Sequence, residues 1–164
     1  MGQQQLLLLV LGIVIVGLAV VVGIQAFGEN QRKANSDALV NDGIRIASDA
    51  QAWALKPTAF GGGDGDFQSL DAAGTAQDMT LEDIGYQPVN GVYSNVNGNF
   101  AIEVTGPQDM TITGCSKTAF GTGADAAGDQ QDSFNQVVVT ISGFGAGDIT
   151  TETGSAVEGC PGQA

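Results

Sequence analysis

LLLLVLGIVIVGLAVVVGI, the run from Leu6 to Ile24, decides the fold. Nineteen apolar residues stand there without a break, and no charge precedes Glu29. At 1.5 Å per residue the run makes about 28 Å of helix, close to the hydrocarbon thickness of a bilayer. A helix apolar on every side belongs in lipid or inside a bundle. Gly12, Gly17 and Gly23 weaken it in water but are common in membrane helices.

The pattern continues beyond the run. Leu39, Ile46 and Trp53 fall at heptad spacing, with Gly43, Ala47, Ala50 and Ala54 in the neighbouring rows. They draw an apolar stripe along 34–55, and Arg32, Lys33, Asp42, Arg45 and Asp49 lie mostly off it. Pro57 supplies a stop, preceded by Lys56 in the last turn, where a cation suits the helix dipole. No proline interrupts residues 1–56. One helix is therefore expected over 1–56, with a hydrophobic half at 1–28 and an amphipathic half at 29–56.

After Pro57 the composition changes. Residues 1–56 balance four acids with four bases, whereas 57–164 carry fourteen acids and one base, Lys117. The whole formal charge of −13 thus lies in the second part. Such an acidic chain lacks the basic footprint of a nucleic-acid binder. The absence of histidine removes the commonest general base and metal ligand. Gly61-Gly62-Gly63-Asp64-Gly65-Asp66 reads as a loop. Strands are expected at Gly91–Val96, Asn99–Thr105, Met110–Thr113, Asn135–Ser142 and Ile149–Thr153, with a hairpin signal at Asn97-Gly98. The predicted class is α+β, a long N-terminal helix packed on a small antiparallel sheet of four or five strands. Leu39, Ile46, Ala50 and Trp53 are the expected helix–sheet contacts.

Cys115 and Cys160 are the only cysteines. They are too few for a zinc site without histidine and do not form a CxxC. They read either as a structural disulfide, worth about 3–4 kcal/mol through loop closure, or as two buried thiols. Asp64, Asp66 and Asp71 alternate like oxygen ligands of calcium, yet the loop lacks the rest of an EF-hand, so a solvated turn is the default. Asp125, Asp129 and Asp132 read as a hydrated acidic loop. No further cofactor and no catalytic constellation are expected; Tyr86, Tyr93 and the phenylalanines read as packing.

The hydrophobic start admits several readings by itself. Ile24-Gln25-Ala26 would serve as a signal-peptide cleavage site, but a basic n-region is missing and the run is long for a signal. A single-pass anchor is the simplest alternative, and Arg32 and Lys33 would then orient its cytoplasmic side. A long helix, apolar in its first half, followed by a sheet and a late cysteine pair resembles the type IV pilin family. The resemblance spans the chain as architecture and about the first 25 residues as sequence. It implies that prepilin peptidase removes a basic leader and leaves Met1 as the N-methylated mature terminus. Pilins carry Glu where this chain has Gln5, and commonly Pro where it has Val22. Gln5 keeps hydrogen-bonding capacity but loses the ionic pairing with a neighbour's terminal amine. The resemblance matches Cys115 and Cys160 to the pair that staples the family's C-terminal region.

The expected role is accordingly a structural subunit of an extracellular type IV pilus-like filament, anchored in the inner membrane before assembly. Its partners would be copies of itself, prepilin peptidase and the pilus assembly machinery, with no nucleic acid. Met1, Gln5, Leu6, Leu9, Gly12, Ile13, Gly17, Val20, Gly23 and Ile24 would line the filament core. Alternatives are a type II secretion pseudopilin and a membrane-anchored extracytoplasmic binding module. Neighbouring acidic heads in a filament would repel over the roughly 8 Å Debye length of about 0.15 M salt unless cations answer them.

Overall fold

The structure, a computed structural model, describes residues 2–70, 75–124, 130–145, 147–156 and 159–162, with side chains left undescribed at 69, 70, 121–124, 130 and 131. Met1, Asp71, Asp125 and Asp129, singled out from the sequence, lie outside the described residues. The protein is an α+β fold with a single long helix, α1 (Gly2–Ala54). Two compact units are Met1–Ala34 and Asn35–Ala164. The first is helix throughout its described length, and none of its described side chains is buried. The second includes the C-terminal part of α1 and everything that follows.

In the second unit a short 3-10 turn (Thr58–Phe60) follows the helix. The strands are then β1 (Gln68–Leu70), β2 (Ala76–Asp78), β3 (Tyr93–Ser94), β4 (Gly98–Val104), β5 (Asp109–Ser116), β6 (Gly121–Ala124), β7 (Gln130–Ser142) and β8 (Ile149–Ala156). β1 and β2 form a separate antiparallel ribbon. The main sheet runs β3-β4-β5-β7, and β7 also pairs with both β6 and β8. All its pairings are antiparallel. Six strands thus replace the four or five expected. β6 (GTGA) pairs with Gln130–Ser133 through a register that its glycine-rich sequence does not announce.

Residues of β4, β5 and β7 alternate between the two faces of the sheet. One face brings Phe100, Met110, Ile112, Val137, Val139 and Ile141 into a core with Leu39, Ile46, Ala47, Ala50, Trp53 and Ala54 of α1. The heptad stripe is therefore the cover of the sheet, and each large side chain there contributes roughly 1.5–3 kcal/mol by leaving water. Close approach depends on missing side chains. A Cβ on Gly43 would stand 2.9 Å from Val139 Cγ2, and one on Gly98 would run into the Cys115 carbonyl and Leu39. On the opposite face Cys115 and Cys160 form a disulfide that packs with Ala156 and Phe134.

Two local outcomes differ from the sequence reading. The helix stops at Ala54, before Lys56, because the glycine-rich loop folds back to cap it. Gly63 N–H donates to the Trp53 carbonyl at 3.2 Å, Gly65 N–H to Ala54 at 2.7 Å and Asp64 N–H to Lys56 at 2.9 Å. These bonds satisfy carbonyls that the helix end leaves without partners. Gly62 and Gly63 have to be bare there, since a Cβ would collide with the Lys56 carbonyl or the Asp66 carbonyl. Residues 57–90, where the sequence announces only the Gly61–Asp66 loop, also supply Phe67, Met79 and Leu81 to the core, all at most 3 % exposed. The hairpin forms where Asn97-Gly98 predicted it, but the turn-maker is Asn95. Its Oδ1 accepts from the N–H groups of both Asn97 and Gly98 at 2.9 Å.

Candidate functional site

The largest feature that internal packing does not explain is the surface of α1 between Leu6 and Phe27. Leu6, Leu9, Ile13, Val20 and Ile24 are all more than half exposed, as is Phe27 at 74 %. Gln5 is exposed and Gly23 half-buried. Cβ atoms placed on Gly12, Gly17, Gly23 or Gly28 would meet nothing within 4 Å. Bare glycines on an apolar helix give another helix room for close backbone approach, and Ala19 with Gly23 supplies one small-xxx-small pair. This helix is long and apolar enough to cross a membrane. Leaving so much apolar side-chain surface in water is unfavourable at about 25 cal/mol per Å², so the surface calls for lipid or protein around it.

The second unit uses its polar helix residues differently. Asn35, Asp42 and Asp49 form a second heptad row beside the apolar one: the first two share the turn at Asn97, and the third holds Tyr86. Asn35 donates through Nδ2 to the Asn97 carbonyl at 3.0 Å and accepts from Asn135 Nδ2 at 3.3 Å. Asp42 Oδ2 accepts from Asn95 Nδ2 at 2.8 Å and Asn97 Nδ2 at 2.7 Å. Asp49 Oδ2 accepts from the Tyr86 hydroxyl at 2.8 Å. Burial, and then this hydrogen bond, push the Tyr86 phenol up to about 12. Tyr86 also packs edge-on against Tyr93, with ring centroids 4.7 Å apart. Read from sequence, these acids are merely off the stripe; the structure makes them anchors. Their heptad spacing was a usable signal, but only the positions of the loops assign their partners.

Of the calcium-like aspartates, Asp64 and Asp66 are described and Asp71 lies outside the described residues. Asp64 is exposed with a left-handed φ of 56°, while Asp66 Oδ1 accepts from the Gln68 N–H at 2.7 Å and closes its own turn. No group of three His, Cys, Asp or Glu positioned to hold a metal ion occurs among the described residues. Asp132 is exposed. An open hollow of about 540 Å³ lies between Asn90–Val92, the outer faces of β4 and β5, and Gly159–Pro161. Among the described residues, Glu103 is the charged one that lines it. The chain matches no family model, no curated protein and no solved structure.

Proposed function

We propose that this chain is a structural, non-catalytic subunit of a type IV pilus-like extracellular filament, held in the inner membrane by the N-terminal part of α1 until it assembles. The observation that carries the reading is the contrast within one helix. Its N-terminal part exposes every large apolar side chain, while Leu39, Ile46, Ala47 and Ala50 are at most 1 % exposed against a sheet. Many copies burying residues 1–28 against one another would give those side chains the cover that the single chain lacks. Prepilin peptidase and the assembly machinery would process and extract each subunit. In this reading Gln5 contributes hydrogen bonding within an apolar core, and the Cys115–Cys160 disulfide keeps the exposed head intact outside the cell.

The test is electron microscopy of material sheared from cells that make the full-length chain, with mass spectrometry of its subunit. Filaments built from this chain, lost when Leu9 and Ile13 are both changed to Asp, are the expected result. Chain found only in the membrane fraction, with no filaments at all, would refute the reading. A membrane-anchored binding module would then be favoured, because the helix has the length and composition of a membrane span.

A further inference from the structure

We propose that Asn90-Gly91 is a site of intramolecular deamidation, and that the fold blocks the same reaction at Asn97-Gly98. The chain has Asn directly before Gly at these two positions, and the structure puts them in opposite surroundings. In this reaction the Gly backbone nitrogen gives up its proton to hydroxide and attacks the Asn Cγ. The N–Cγ bond forms, the Cγ–Nδ2 bond breaks, and the amide nitrogen leaves as ammonia after taking a proton from water. A second water then opens the succinimide at either carbonyl, giving aspartate or isoaspartate with no change of oxidation state. Glycine lets the nitrogen approach at both sites, because no Cβ stands in the way. The step also needs an Asn side chain free to turn towards the main chain and an N–H that no acceptor holds.

Asn90-Gly91 meets both conditions. The two residues are exposed and form the centre of a tight turn closed by the Val89–Val92 bridge. Their φ values of 52° and 79° are the left-handed pair of a type I′ turn. Val89 N–H donates to the Val92 carbonyl at 2.9 Å, and Val92 N–H to the Val89 carbonyl at 3.1 Å. These closing bonds leave the Gly91 N–H and the Asn90 amide without a partner among the described residues. The bridge is isolated and Val89 is 74 % exposed, so the turn opens locally at little cost. Asn97-Gly98 meets neither condition. Asn97 Nδ2 donates to Asp42 Oδ2 at 2.7 Å, and the Asn97 carbonyl accepts from Asn35 Nδ2 at 3.0 Å. The Gly98 N–H, which would be the nucleophile, donates to Asn95 Oδ1 at 2.9 Å, and Gly98 is buried in β4 against the Cys115 carbonyl. Conversion at Asn90 adds a carboxylate to the hollow that Glu103 also lines. Its isoaspartate form inserts one carbon into the main chain of a two-residue turn.

The experiment incubates full-length protein in mildly alkaline heavy-oxygen water, once folded in detergent and once in denaturant with reductant. Fragmentation mass spectrometry after digestion reads conversion at each site, and heavy oxygen marks conversion that happened during the incubation. In the folded chain Asn90 is expected to convert about tenfold or more faster than Asn97, whose hydrogen bonds must open first. In the unfolded chain the two sites should convert at similar rates. Asn95→Ala frees the Gly98 N–H and Asp42→Ala frees the Asn97 amide. Each variant, confirmed as folded by Trp53 fluorescence, should speed conversion at Asn97 and leave Asn90 unchanged. Equal rates at the two sites in the folded wild type, or an Asn90 that stays intact there while it converts in denaturant, would overturn the proposal. An Asn97 that remains slow in both folded variants would overturn the protection assigned to its hydrogen bonds.

Discussion

Replacing Leu39 by Ala tests the central packing claim, that one stripe of α1 is the lid of the sheet. Leu39 is fully buried, and its Cδ2 lies where Gly98 leaves room for it. Truncating such a leucine removes its transfer free energy and leaves a cavity, for a loss of about 3 kcal/mol. The compact unit spans 130 residues, Asn35–Ala164. At about 2.1 cal/mol/K per residue its unfolding entropy is near 0.27 kcal/mol/K, so the midpoint should fall by about 11 °C. Fluorescence of Trp53, the sole tryptophan and 8 % exposed, follows the melt in detergent-solubilised full-length protein. Leu9→Ala is the control: Leu9 is 62 % exposed and should change the head's midpoint by less than about 1 °C. The reasoning fails if Leu39→Ala lowers the midpoint by less than about 3 °C, or by no more than Leu9→Ala does.

Two further outcomes follow from the head. The Cys115–Cys160 bond spans a sequence separation of 45, so changing both to Ser should cost about 4 kcal/mol in the loop-entropy model. Intact mass after alkylation, with and without reductant, checks that the pair is bonded in the native chain; free thiols without reductant would contradict it. For Tyr86, the folded pKa is raised from 10.0 to about 12, so the unfolded phenol ionises first as pH rises. Its contribution to stability is complete below pH 10 and is lost progressively as pH climbs from 10 towards 12. Denaturant titrations across that range should show the steep alkaline loss of stability flattened in Tyr86→Phe, and an identical pH profile would refute the assignment.

The sequence by itself determined the elements whose signals are local. The charge-free run from Leu6 to Ile24 and the heptad of Leu39, Ile46 and Trp53 are repeats of a single helix, readable without knowing what lies across from them. The same is true of the alternation in Asn99–Thr105 and Asn135–Ser142, and of the turn residues around Asn97. Tertiary structure alone decided which isolated residues matter. Phe67, Met79 and Leu81 sit in a segment without periodicity, and their burial depends on where the chain returns to the core. Gly62 and Gly63 look like flexible loop residues until they pass against the end of α1. Asp42 and Asp49 read as solvated charges until Asn95, Asn97 and Tyr86 arrive from more than 35 positions away. The physical reason is range: backbone periodicity is set by neighbours a few residues apart, whereas burial and hydrogen-bond partners are set by chain segments that meet only in the folded state.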